Sequence, residues 1–239
     1  MSAENQRSNN SSNSNKRKVS GFRHWALGPN WSAAWKLAPF RWRFWTGMVL
    51  FTGILVALPF FFNAIQERNG ISFNDLILER IPARNVSVAV FFLIWSSCLI
   101  LILRIYRDPM MLLTMLWAYN GVTLVRMACI TLISLNPPAG LIPLADPITN
   151  QFYGQRYITH DLFFSGHTTT VFLIFLCLKK KTDRIYTLIA SVALGILLLV
   201  QHVHYTIDVL AAPVFTYALY RFALIITKIK NLPVFPESG

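Results

Sequence analysis

Six long apolar runs, separated by clusters of cations, constrain this chain more than any other feature. They lie at about 44–65, 86–106, 110–135, 162–178, 185–201 and 205–227. Each approaches the ~20 residues a helix needs to cross ~30 Å of hydrocarbon. None shows the alternation of a membrane-barrel strand. The pattern predicts an all-α, polytopic membrane protein with six transmembrane helices. Composition agrees: 54% of the 239 residues are apolar and 13% are charged, against ~25% charged in soluble domains.

The formal net charge of +12 suits either nucleic acid or an anionic membrane. Position decides between them. Lys16, Arg17, Lys18, Arg41, Arg43, Arg104, Arg107, Lys179, Lys180 and Lys181 flank the apolar runs. That is a topology signal, so nucleic-acid binding is set aside. The segments 1–43, 104–109, 179–184 and 228–239 hold sixteen Lys or Arg, whereas 66–85 and 136–161 hold four. Six spans put both termini on one side, and the excess of cations makes that side cytoplasmic. Loops 66–85 and 136–161, with the short turn at 202–204, are then expected on the non-cytoplasmic face. Cys98, Cys129 and Cys177 each lie inside an apolar run, which argues for packing residues and against a disulfide or zinc framework.

Four regions are expected. Residues 1–21 read as a disordered, Ser/Asn-rich cytoplasmic tail. Residues 22–43 read as an interfacial segment, because Trp25, Trp31, Trp35 and Trp42 alternate with Arg23, Lys36, Arg41 and Arg43. Such rings beside cations favour the headgroup layer. Residues 44–230 form the six-helix membrane domain, and 231–239 a C-terminal tail.

Two segments carry ionisable groups against apolar runs, where they are costly and functional by default. One is His160-Asp161-Leu162-Phe163-Phe164-Ser165-Gly166-His167-Thr168. The other is His202-Val203-His204-Tyr205-Thr206-Ile207-Asp208-Val209. Alternating spans bring both to the same membrane face. His204 and Asp208 are i and i+4, which places them on one helix face. A carboxylate there fixes the imidazole tautomer and leaves the other nitrogen as a nucleophile. His167 supplies a partner acid. Ser165 and Gly166 suit a tight helix start whose N–H groups favour an anion. Together these describe phosphoryl transfer through a phosphohistidine, with no metal or cofactor required. The rival within chemistry is zinc held by some of His160, Asp161, His167, His202, His204 and Asp208, although the spacing follows no zinc motif. A transporter or lipid-binding scaffold would place its polar groups at the midplane, not at one face. His24 and His202 read as hydrogen-bond partners.

At these residues the chain resembles the sphingomyelin synthase family of the type 2 phosphatidic acid phosphatase superfamily. The family patterns are C-G-D-x-x-x-S-G-H-T and H-Y-T-x-D-V-x-x-A-Y. Asp161, Ser165-Gly166-His167-Thr168 and His204-Tyr205-Thr206-x-Asp208-Val209 match them in order. The resemblance, with Arg126 and Asn136-Pro137-Pro138, covers roughly 119–213. It implies a phosphatidic acid phosphatase-like helical bundle that moves a phospho-headgroup from a glycerophospholipid to a lipid alcohol such as ceramide. Water as acceptor would make the chain a lipid phosphate phosphatase instead. The resemblance gives His204 as nucleophile, Asp208 as its orienter and His167 as acid toward the departing diacylglycerol. Arg126 would neutralise phosphate charge, and Asp161, Ser165, Gly166 and Tyr205 would serve substrate binding.

Some positions depart from the family. Thr159-His160 replaces Cys-Gly, and Pro213 stands where the second pattern ends in Tyr. The doubled Arg before the third-helix motif and the Pro-rich signature of the first outer loop are absent, with Pro82 alone there. Leu197-Leu198 occupies the Ser-Arg positions of the wider superfamily pattern.

Overall fold

The computed structural model describes residues 31–144 and 159–229. The tails expected over 1–21 and 231–239 lie outside these residues. Seven α-helices are present among the described residues: α1 Trp31–Lys36, α2 Ala38–Gln66, α3 Ser87–Ile105, α4 Pro109–Leu132, α5 Gly166–Cys177, α6 Lys181–Val200 and α7 Thr206–Thr227. One 3₁₀ turn, Leu78–Arg80, lies between α2 and α3. The described residues contain no strand beyond an isolated bridge between Ile71 and Leu135. The chain is an all-helical, multi-pass membrane protein.

Each of the six apolar runs forms a helix. Five helices, α2, α3, α4, α6 and α7, are long and apolar enough to cross a membrane. The fourth run, expected as a helix over 162–178, forms only the 12-residue α5. That is ~18 Å of helix, short of the ~30 Å hydrocarbon layer. Ser165 stops the helix from starting sooner, because its side chain caps α5 by accepting from Thr168 N–H at 3.4 Å. Non-helical backbone at this depth is tolerated where protein satisfies it. Phe164 O accepts from Arg126 Nε at 2.6 Å, and Ser165 N–H donates to Asp208 O at 3.1 Å.

α5 is the hub of the bundle, in contact with α3, α4, α6 and α7. Its Leu173, Ile174 and Cys177 pack with Leu178 against Met111, Met115 and Ala118 of α4 and Ala223 of α7. Val171 packs with Ala190, Leu194 and Leu198 of α6 and Val90 of α3. From Val171 to Cys177 the helix is apolar all round, as a buried helix is. α2 sits at the edge, against α4. Asn120 Nδ2 donates to Gly47 O at 2.9 Å, and Trp117 Nε1 donates to Arg43 O at 3.1 Å. Gly47 permits this approach, since a Cβ there would lie 2.8 Å from Leu116 Cδ2. The other side of α2 exposes Trp42, Trp45, Val49, Val56 and Phe60, as a lipid-facing surface does.

α2 begins at Ala38, ahead of the expected residue 44, with a proline in its first turn. Arg41, Trp42 and Arg43 therefore ride on the first span itself. At this same end Asp108 caps α4 by accepting from the N–H groups of Met110 and Met111 at 3.1 and 3.0 Å. Lys179 pairs with that carboxylate, and Arg104 Nε meets Asp183 Oδ2 at 2.6 Å. These pairs fix one end of the bundle. The chemistry-bearing residues gather at the opposite end, where α4 finishes and α5 and α7 begin.

Candidate active site

Arg126 organises the start of α5. It lies six residues before the end of α4, about 9 Å below that end. Its Nε holds Phe164 O at 2.6 Å, and its Nη2 meets Asp161 Oδ1 at 2.7 Å. The guanidinium lies flat against Gly166: a Cβ there would fall 2.6 Å from Nη1 and 2.7 Å from Cζ. Glycine at 166 thus lets the cation reach the N-terminus of α5, and a side chain there would displace it. The Arg126 and Asp161 side chains remain 16% and 21% exposed, so a ligand can approach them. The result is a cation beside a helix N-terminus, a cradle for a phosphate.

The second motif folds differently from its i, i+4 expectation. His204 and Tyr205 precede α7, which begins at Thr206. Tyr205 is the cap residue. Its N–H donates to Asp208 Oδ2 at 3.0 Å, while Asp208 N–H donates to Tyr205 O at 3.1 Å. This reciprocal cap turns the Asp208 carboxylate back toward the residue before the helix. It therefore meets His204: His204 Nδ1 lies 3.6 Å from Asp208 Oδ2. That is too long for a hydrogen bond. The carboxylate is held back by the Tyr205 N–H. His204 and Asp208 are 2% and 0% exposed.

Ser165 N–H, bonded to Asp208 O, ties the two motifs together. The rings of His167 and His204 then lie edge to face with centroids 6.4 Å apart. His204 Nδ1, Asp208 Oδ1 and Thr168 Oγ1 are buried without a hydrogen-bond partner. Such orphaned atoms call for an explanation, and a catalytic role is one.

Two connections close over this end. Residues 69–75 run beside 134–136: Ile71 N–H donates to Ser134 O at 2.9 Å, and Asn136 N–H donates to Ile71 O at 3.0 Å. The Tyr205 hydroxyl donates to Asn136 O at 3.0 Å and accepts from Phe73 N–H at 3.3 Å. Asp75 Oδ2 accepts from Thr206 N–H at 2.6 Å, and its Oδ1 accepts from the Thr206 hydroxyl at 3.0 Å. Burial acts to raise the Asp75 pKa, but the Thr206, Ile77 and Leu78 donors outweigh it and hold the carboxyl below its ordinary value. His202, at φ 56°, has each ring nitrogen 2.9 Å from a carbonyl oxygen, of Ala139 and of Ile81.

The fold thus brings His167, His204, Asp208, Asp161, Ser165, Gly166 and Arg126 to one place. Tyr205 is adjacent, with its hydroxyl committed to Asn136 O and Phe73 N–H. Ser165 Oγ is committed to capping α5. The rival zinc set is not gathered in this way. His202 faces loop carbonyls, and the His160 Nδ1 lies 3.4 Å from the Thr159 hydroxyl. Thr159 is itself held by Gln66 at 2.7 Å. Among the described residues no three His, Cys, Asp or Glu side chains are arranged to hold a metal ion. Sequence reasoning missed Asp75, because its partner is 131 positions away and no local pattern marks it.

Residues 160–225 match the family model described as PAP2 superfamily C-terminal. The match begins at His160 and takes in α5, α6 and nearly all of α7, with both motifs. It supports the type 2 phosphatidic acid phosphatase superfamily and an activity of the lipid phosphatase or phosphotransferase kind. No curated protein matches the chain.

Proposed function

We propose that this protein is a membrane lipid phosphotransferase. It moves a phospho-headgroup from a glycerophospholipid to a lipid alcohol such as ceramide, through a phosphohistidine on His204. The observation that carries the reading is the junction of the two motifs: His167 and His204 edge to face, with Asp208 behind His204 and Arg126 beside Gly166.

The chemistry balances in two steps. His204 Nε2 attacks the donor phosphorus while Asp208 orients the ring through Nδ1. The bond from phosphorus to the diacylglycerol oxygen breaks, and protonated His167 gives that oxygen its proton. In the second step neutral His167 takes the proton of the acceptor hydroxyl, whose oxygen attacks phosphorus. The phosphorus–nitrogen bond breaks and both histidines return to their starting states. Arg126 offsets the charge that builds on the non-bridging oxygens. The burial of His204 favours a lipid acceptor over water, because a shielded phosphohistidine outlives random collisions with solvent. Water as acceptor would give a lipid phosphate phosphatase on the same groups. The exposed edges of Arg126 and Asp161 favour that second reading.

The distribution of cations supports cytoplasmic termini, with the site on the non-cytoplasmic face. The test is lipid mass spectrometry on purified protein given ceramide and a panel of glycerophospholipids, with His204→Ala as control. The expected result is a phospho-headgroup sphingolipid and matching diacylglycerol, made by the wild type alone. Diacylglycerol with free phosphorylated headgroup and no new sphingolipid would identify water as the acceptor. Wild-type turnover by His204→Ala would overturn the nucleophile assignment.

A further inference from the structure

We infer that Asp75, in the connection between α2 and α3, is a positioning residue for the His204–Asp208 pair. The inference rests on the phosphohistidine reading above. The first turn of any helix presents N–H groups without intrahelical partners. In α7 two carboxylates divide that task. Asp208 takes the N–H of Tyr205, and Asp75 takes both the N–H and the hydroxyl of Thr206. Asp75 is held in turn by Ile77 N–H at 3.0 Å and Leu78 N–H at 3.3 Å. Those donors sit at the start of the 3₁₀ turn, so the loop presents the carboxylate in one orientation.

The division leaves Asp208 Oδ1 without a donor and His204 Nδ1 without an acceptor, both buried. These two orphans are complementary: the ring lies 3.6 Å from Oδ2, the oxygen that Tyr205 N–H holds, so Oδ1 is the acceptor left to offer it. A small turn of the carboxylate would offer it, and a ligand can impose such a shift as catalytic contacts tighten. Without Asp75 the Thr206 N–H would lack its acceptor. The spare oxygen of Asp208, two residues along and already turned toward the cap, is the acceptor at hand. Asp208 would then serve the helix and not the imidazole. Asp75 thus keeps Asp208 free by satisfying the neighbouring donor, although nothing requires it to touch a substrate.

The test compares wild type, Asp75→Asn, Thr206→Val and His204→Ala in nanodiscs. The probe is whichever of NBD-labelled phosphatidylcholine, phosphatidylethanolamine or phosphatidic acid the wild type cleaves. kcat, KM and the pH profile of kcat/KM are measured. A 1 Å misplacement of a catalytic group costs ~10²-fold, so Asp75→Asn should lower kcat about tenfold with KM within about twofold. The acid limb of the profile should move to lower pH, because a carboxylate turned away favours the protonated ring less. Thr206→Val should shift the limb the same way by less, and it decides the matter if Asp75→Asn does not fold. A limb left in place in the folded variant would overturn the inference, whatever happens to kcat. Turnover by His204→Ala, or none by the wild type on any probe, would instead overturn the phosphohistidine reading.

Discussion

Replacing Gly166 by alanine is the smallest change that separates this site from an ordinary helix start. The added Cβ would lie 2.6 Å from Arg126 Nη1, 2.7 Å from Cζ and 3.0 Å from Nη2. An ordinary carbon–nitrogen contact needs ~3.5 Å, so the guanidinium must retreat by ~0.8 Å. Its Nε sits 2.6 Å from Phe164 O, and the same retreat stretches that bond to ~3.4 Å, beyond useful length. That bond is worth ~1.5–3 kcal/mol to the fold, and the guanidinium it aimed is displaced by ~0.8 Å, where a ~1 Å misplacement costs ~10²-fold in rate. We expect kcat to fall about 10²-fold on the same NBD-lipid probe. Stability should fall modestly with it. Residue 166 opens α5, where alanine is a better helix former than glycine by up to ~1 kcal/mol, which offsets only part of the lost bond. Intrinsic tryptophan fluorescence on heating should place the variant's unfolding below the wild-type temperature. In an Arg126→Ala background the substitution should cost almost nothing more, since the clash partner is gone. Wild-type turnover by Gly166→Ala, or equal losses in both backgrounds, would refute the contact between Arg126 and the start of α5 as a catalytic element.

Other outcomes follow from the same geometry. Asp208→Asn should reduce kcat by ~10²–10⁴-fold while the protein still inserts, because the amide nitrogen donates where Tyr205 N–H and His204 need an acceptor; retention of more than a tenth of activity would contradict the orienting role. The lowered Asp75 pKa makes its stabilising contribution full above the unfolded value, ~pH 4, and lost as pH falls through the folded one. The gap in unfolding temperature between wild type and Asp75→Asn should therefore hold from pH 7 to 5 and shrink toward pH 3; a gap that widens on acidification would reverse the sign. EDTA should leave turnover unchanged, whereas loss restored by zinc would return His160, Asp161, His167 and His204 to a metal reading. In a cysteine-free background, Asn74→Cys should react with an impermeant maleimide outside intact cells and Thr182→Cys should not. The opposite pattern would invert the topology.

The parts of the fold that local pattern controls were legible in the sequence. Runs of apolar residues ended by cations located α3, α4, α6 and α7 to within a few residues, because hydropathy and length are local properties. The start of α2 was not, since Arg41 and Arg43 read as interfacial, yet both sit on a helix whose opposite side packs on α4. Residues 162–165 are as apolar as a span and still not helical. What stops the helix is Arg126 holding Phe164 O from 38 positions away, together with the Ser165 cap. The pairing of His204 with Asp208 was expected for the wrong geometric reason. An i, i+4 spacing suggests a helix face, but the residues straddle the cap, and the Asp208 bond to Tyr205 N–H turns the carboxylate back. Asp75 carries no sequence signal, because its role exists only once the α2–α3 connection lies over α7.

The shortness of α5 then gains a functional meaning. α4 and α5 share a level at one end, where Cys177 and Leu178 pack beside Met111 and Met115. From there α4 rises through 24 residues and α5 through only 12, ~36 Å against ~18 Å. The bundle therefore has a hub whose helix starts well below the end of α4. The non-helical residues 162–165 fill the level above it, with Leu162, Phe164 and Ser165 buried. They set His167, at the start of α5, beside Arg126 of α4 and the His204–Asp208 pair at the start of α7. The apolar residues that end at Phe164 thus satisfy hydrocarbon without extending the helix, and the polar backbone they carry is satisfied by Arg126 and Asp208.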